Sequence, residues 1–228
     1  MTFQVQLKSQ ISERELDDAV DVCVRAYIGE LASNSMVGGD ESLKAAIWRA
    51  MIRAGLLDGE VYFATDDSSH KVVGVAVWFP PGKSLFDSEE QRALGFDDFM
   101  KKLSPETQEF WANSYVPVVD KFLAEVIGPS ASSSSQPFTG CMIIDSNMQG
   151  TRDSQYLNQL ATDPAFQKKG IATMLLKTFA ESDNPPMFAH CAANEKNARF
   201  YESCGYTIKG KMFLDAPTGG YPVIVLTK

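Results

Sequence analysis

One stretch limits the fold more than any other. Residues 156–162 (YLNQLAT) read as an extended run, Asp163-Pro164 ends it, and QKKGIATMLLKTFA (167–180) then opens an amphipathic helix. Proline donates nothing to a sheet ladder and presets a turn. Ile171, Met174, Leu175 and Phe179 recur at helical spacing and give the helix an apolar face. A strand feeding such a helix calls for a sheet with helices packed on it. The junction also has chemical character: a helix start presents unpaired N–H groups and the positive end of the macrodipole. Gly170 lets a ligand approach that backbone closely, and Lys168 and Lys169 add charge. Together they read as a seat for a pyrophosphate.

The rest of the chain supplies further alternation. Phe3 to Leu7 reads as a strand, and Ser12 with Glu15 reads as a capping box opening a helix with Leu16, Ala19, Val20, Cys23, Val24 and Tyr27 on its apolar face. After a loop at Gly38-Gly39, a helix is expected from about Glu41, stopping at Gly55. Val61 to Thr65 and Val72 to Phe79 are strands around the turn DDSSHK. The stretch 85–127 reads as helical, with an apolar stripe of Phe110, Trp111, Tyr115, Val118, Val119, Phe122, Leu123 and Val126 and a kink at Pro117. GPSASSSSQP (128–137) is a low-complexity loop. Further on, 169–182 and 194–204 are helices, and Met187 to Cys191, 206–213 and 221–227 are strands, the last two joined through Gly219-Gly220. This order predicts a mixed α/β sheet, and the chain is read as a single domain over 1–228, with the insertion and Ser-rich loop at about 80–140.

Charge narrows the partners. The chain of 228 residues has a net charge of −8, so a generic nucleic-acid binder is disfavoured. Within 163–211, seven lysines and arginines face five acids, a cationic patch suited to a small polyanion. Cys23, Cys141, Cys191 and Cys204 form no CxxC pair, which points to reduced thiols and no metal. No stretch is apolar enough for a membrane span and no leader is seen at the N-terminus, so a cytoplasmic protein is expected. Pro81-Gly82-Lys83-Ser84 lacks the earlier glycine of a nucleotide-binding loop, since Val77 stands there.

Asn194 follows Gly170 by 24 residues, and NEKNARFYESCGY (194–206) ends in F-Y-x-x-x-G-Y. Paired with Gln167-x-x-Gly170-x-Ala172, this resembles the GNAT acyltransferase superfamily over about 155–213, and VVGVAVWFPPG resembles the third strand of its puromycin acetyltransferase-like members. Alanine at 172, where glycine is commoner, is a mild departure. The resemblance implies a mostly antiparallel central sheet flanked by helices, a cofactor-binding core at about 155–213, and the helical insertion around 85–127 over the acceptor side. It also implies acetyl-CoA as acyl donor, no metal, and a small-molecule primary amine as acceptor in a ternary complex, in a monomer or homodimer. A catalytically silent acyl-CoA-binding or interaction protein on the same fold is the alternative.

By that resemblance Leu160, Ala161 and Thr162 offer backbone groups to the pantetheine arm. Gln167, Lys168, Lys169, Gly170, Ile171, Ala172 and Thr173 surround the pyrophosphate, and Asn194 and Asn197 contact the cofactor. Tyr201 sits by the sulfur and protonates the departing thiolate; its other reading is an aromatic core residue. The strand before the motif holds no acid, so the general base stays open among His190, an aspartate (Asp145 or Asp153) and water. Phe86, Phe96, Trp111 and Tyr115 are candidates to line the acceptor pocket or to pack the core, and His70 is expected to be exposed and idle.

Overall fold

A computed structural model describes residues 1–127, 154–178, 187–192 (as backbone) and 194–228. The Ser-rich segment, Asp145, Asp153, the His190 side chain and the continuation of the 169–182 helix beyond Thr178 lie outside the described residues.

Seven strands form one sheet in the order β1-β2-β3-β4-β5-β7-β6. They are β1 (Phe3–Lys8), β2 (Glu60–Asp66), β3 (Val72–Phe79), β4 (Gln155–Thr162), β5 (Met187–Ala192), β6 (Thr207–Leu214) and β7 (Tyr221–Thr227). Every neighbouring pair is antiparallel except β4 and β5, which run parallel. That parallel pair is short. Only Gln155, Tyr156 and Leu157 find partners on β5, and His190 to Ala192 pair with β7 alone. Beyond Leu157 the two strands part, and among the described residues β4 continues with a partner on its β3 side only.

Helices cover both faces. On one lie α1 (Glu13–Ala26), α2 (Leu31–Met36) and α3 (Lys44–Asp58), together with the insertion: α4 (Glu89–Ala93), α5 (Phe96–Met100), α6 (Pro105–Phe110), a π-helical turn (Trp111–Tyr115) and α7 (Val116–Ile127). On the other lie α8 (Ile171–Lys177) and α9 (Glu195–Ser203). Alternating strand residues divide accordingly. Val75, Val77 and Phe79 enter the core under α1 and α3, while Ala76 and Trp78 enter the core under α8 and α9. A strand buried on both faces reads as an unbroken apolar run, which is what VVGVAVWF is.

Ser12 does cap α1, accepting from the Glu15 amide while Glu15 reaches back to the Ser12 N–H. Those bonds, the Ser12 N–H first, and then Lys8 pull the Glu15 carboxyl down to about 2. Gly55 does not stop α3, which runs on to Asp58. A Cβ at Gly55 would stand 2.5 Å from Val77 Cγ1 and 3.0 Å from Val61 Cγ2, so the glycine sets how closely α3 approaches the sheet. The stripe in 85–127 is also narrower than expected, because Val118 faces out. Pro117 lies in the first turn of α7, directly after the π-helical turn, and π turns mark places where the regular helical ladder is interrupted.

Candidate functional site

The site is best built from the place where β4 leaves β5. Asp163 donates its N–H to the Val73 carbonyl. Antiparallel ladders alternate, so Ala161 spends its backbone groups on β3, while Leu160 and Thr162 turn theirs toward the β5 side, where no strand among the described residues meets them. Asn158 is the extra residue of a bulge between the pairs Val77–Gln159 and Trp78–Leu157. From Thr162 to Asn158 the open edge runs about 13 Å at ~3.3 Å per residue. Part of it is already engaged: the Leu160 carbonyl accepts the Tyr27 hydroxyl at 2.9 Å, and the Thr162 carbonyl accepts Gln167 Nε2 at 3.3 Å. The buried Thr162 hydroxyl has no hydrogen-bond partner among the described residues.

At the upper end of this edge, Asp163 holds the turn. Its Oδ1 accepts the Ala165 amide, and its Oδ2 takes Arg25 Nη2 at 2.7 Å and Nε at 3.0 Å. Arg25 went unread in the sequence, because its partner lies 138 positions away. Lys168 and Gly170 both adopt left-handed backbone, at φ 62° and 84°. A Cβ at Gly170 would meet nothing within 4 Å, so the backbone is open on that side. The Met174 amide bonds the Gly170 carbonyl, which leaves the amides of Ile171, Ala172 and Thr173 without acceptors inside the helix. Lys169 is turned back on its own turn, its Nζ 3.2 Å from the Ala165 carbonyl and over the Phe166 ring.

Asn194 caps α9, its Oδ1 accepting the Asn197 amide at 2.8 Å, so its amide nitrogen is what it has left for a ligand. Tyr201 lies in the α8–α9 core, edge-on to Phe200 and Tyr206. A cleft of about 280 Å³ opens beside Thr173, Lys177, Cys204 and Lys228, and no wall of it comes from β4.

Across the sheet, the turn from Tyr27 to Glu30 joins α1 to α2. Tyr27 stacks on Trp48, and the Glu30 amide bonds the Tyr27 carbonyl. Of the four aromatics considered for the acceptor pocket, Phe86, Phe96 and Trp111 are core, the first two stacked with centroids 4.0 Å apart. Tyr115 is only partly covered and packs edge-on to Trp111. Burial, then the charges of Asp120 and Glu30, push its hydroxyl up to about 12. His70 is exposed, as expected.

Residues 131–208 match the family model described as the acetyltransferase (GNAT) domain. That match spans about a third of the chain. Solved structures agree on the fold. One is described as histone acetyltransferase HPA2 and related acetyltransferase from Corynebacterium glutamicum (TM-score 0.58, 15% identity, 100% of this chain and 96% of that one). Another is an agmatine N-acetyltransferase in its apo form (TM-score 0.55, 12% identity, 100% and 99%). A third is the Drosophila melanogaster polyamine N-acetyltransferase (TM-score 0.52, 11% identity, 99% and 99%). No curated protein gives a significant sequence match. Among the described residues no helix is long and apolar enough to cross a membrane, and no cluster of three or more His, Cys, Asp or Glu could hold a metal.

Proposed function

We propose that the protein transfers an acetyl group from acetyl-CoA to the primary amine of a small molecule, by direct attack while both substrates are bound. The observation that carries this reading is the open edge of β4 running up to the left-handed turn at Gly170. An extended arm laid on that edge would meet the N–H groups of Leu160 and Thr162 as a further strand does. Its diphosphate would then reach the amides of 168–173, where negative charge is favoured. The unpartnered Thr162 hydroxyl on the same edge fits a polar arm. Gln167 and Asn197 would flank the two ends. Asn194 would offer its amide nitrogen.

In the transfer, the amine nitrogen attacks the thioester carbonyl and the sulfur leaves as a thiolate. Tyr201 is assigned to give that sulfur its proton, which a positioned acid speeds by ~10²–10⁴-fold. Small amines are favoured as acceptors because the neighbours of this fold include enzymes named for agmatine and polyamines. The acidic balance of the chain suits a cationic acceptor. Purified protein with acetyl-CoA and a panel of primary amines should release free thiol with at least one of them. Binding of acetyl-CoA with no turnover on any amine would reject catalysis.

A further inference from the structure

The turn that leaves β4 is met from outside by the end of α1. We propose that Arg25 is a positioning residue for the acyl donor. Acting through Asp163, it fixes the turn that presents the 168–173 amides to the diphosphate, and it cancels a negative charge beside them. This rests on the acyl-transfer reading above and adds to it a residue far outside the motif.

Asp163 is held at every polar atom. Its N–H is donated to the Val73 carbonyl of β3, and its own carbonyl accepts the Phe166 amide at 2.8 Å. Oδ1 accepts the Ala165 amide at 2.9 Å, and Oδ2 accepts Arg25 Nη2 at 2.7 Å and Nε at 3.0 Å. Among the described residues, Arg25 alone reaches the carboxylate from another element. It stands on a firm base, since Leu16, Ala19, Val20 and Cys23 of α1 are buried in the core. Two residues further on, the Tyr27 hydroxyl donates to the Leu160 carbonyl. The end of α1 thus grips β4 at residue 160 and again at residue 163, just before the phosphate turn.

A firm hold matters here because the turn is not one that a chain adopts freely. Lys168 is kept at φ 62°, a left-handed backbone that residues with side chains rarely enter, and Gly170 follows at 84°. Such conformations persist where their surroundings over-determine them. Each step of the turn leans on the one before: Gln167 Nε2 bonds back to the Thr162 carbonyl at 3.3 Å, and Lys169 Nζ to the Ala165 carbonyl at 3.2 Å. A shift at Asp163 is therefore passed on to Lys168 and Gly170, whose placement aims the amides.

Charge acts in the same direction. The Asp163 side chain is only 12% exposed, against 45% for Arg25, so the acid is the partner that needs the pair. An acid five residues before Lys168, in a turn this compact, opposes a diphosphate at the same place, and salt screens a charge within ~10 Å only in part. The other acid near Arg25 is Asp21, 3.9 Å from Nη1 and mostly exposed, a weaker partner than Asp163. Losing Arg25 loosens the turn and leaves an uncancelled carboxylate beside the seat.

A double-mutant cycle is the test. Wild type, Arg25→Ala, Asp163→Asn and the double variant are compared by calorimetry with acetyl-CoA and by urea denaturation. The asparagine keeps an oxygen for the Ala165 amide and carries no charge to cancel. Arg25→Ala alone is expected to weaken acetyl-CoA binding about five- to tenfold, and the same change in the Asp163→Asn background to alter it by less than about twofold. With agmatine or spermidine as acceptor, the KM for acetyl-CoA should rise with that loss and kcat should fall less than about threefold, because Arg25 acts on the diphosphate and not on the thioester. A pair that merely supports the fold moves the urea midpoint and leaves the affinity of the folded protein alone. A folded Arg25→Ala that loses less than about fivefold in affinity therefore overturns the proposal. A loss above about twofold in the Asp163→Asn background also overturns it, since Arg25 then acts without Asp163, as does a fall in kcat with KM unchanged. Should Arg25→Ala not fold, Arg25→Gln takes its place in the cycle under the same limits. A wild type that binds no acetyl-CoA overturns the acyl-transfer reading itself.

Discussion

The two faces of the sheet are built in different ways. Beneath α8 and α9, the candidate site is local. A strand, a turn and a helix follow one another from Gln155 to Lys177, and Asn194 caps the next helix by a bond to Asn197. Beneath α1 and the insertion, the core is assembled from distant parts: Tyr27 stacked on Trp48 of α3, Trp111 before α7, Gln159 of β4 bonded to Cys23, and Tyr221 at the start of β7. Contacts such as Tyr27 with Leu160, Arg25 with Asp163 and Trp111 with the Met36 carbonyl tie these parts together across 133, 138 and 75 positions. A strand, turn and helix can thus be written in contiguous residues, while the core on the other face is left to long-range packing.

The largest effect that separates the faces is expected at Tyr201. Tyr201→Phe should lower kcat about 10²-fold or more with acetyl-CoA affinity within about threefold. Equal losses in both, read by steady-state kinetics and calorimetry, would leave Tyr201 a core residue alone and remove its role as the acid. Gly55→Ala tests the other face. Its methyl would press on Val77 Cγ1, and overpacking of this kind costs ~1–3 kcal/mol, so urea denaturation should show that loss. Unchanged stability would mean that α3 can back away from the sheet at no cost.

The smallest effect belongs to neither face. The folded Glu15 carboxyl titrates at about 2, below its ordinary value of 4.5, so the chain binds that proton more readily when unfolded. Stability from this group is complete above pH 4.5 and fades as pH falls toward about 2. The Glu15 side chain is 38% exposed, so solvent screening holds the effect to ~1 kcal/mol or less. Denaturation of wild type and Glu15→Gln should converge at pH 2 and diverge at pH 6; a constant difference would contradict it.

The same contrast explains what the sequence made legible. The capping box at Ser12 and Glu15, the turn at Asp163 and the helix opening at Gly170 were readable because each is set by neighbours within a few positions. Gly55 misled because a glycine chosen for close approach to a sheet looks, in one dimension, like a glycine that ends a helix. The six-residue α2 is too short to show a period, and the reading of the sequence has no helix there.

The central claim is that an acetyl-CoA diphosphate is held at the backbone around Gly170. Calorimetry of acetyl-CoA with wild type and Gly170→Glu tests it most directly. The site has open space for the side chain, and the left-handed backbone adds ~1–2 kcal/mol of strain, so the variant should still fold. The account predicts binding by the wild type and a loss of at least tenfold in the variant, from added bulk and negative charge. Equal affinity in a folded variant, or no binding by the wild type, would contradict it.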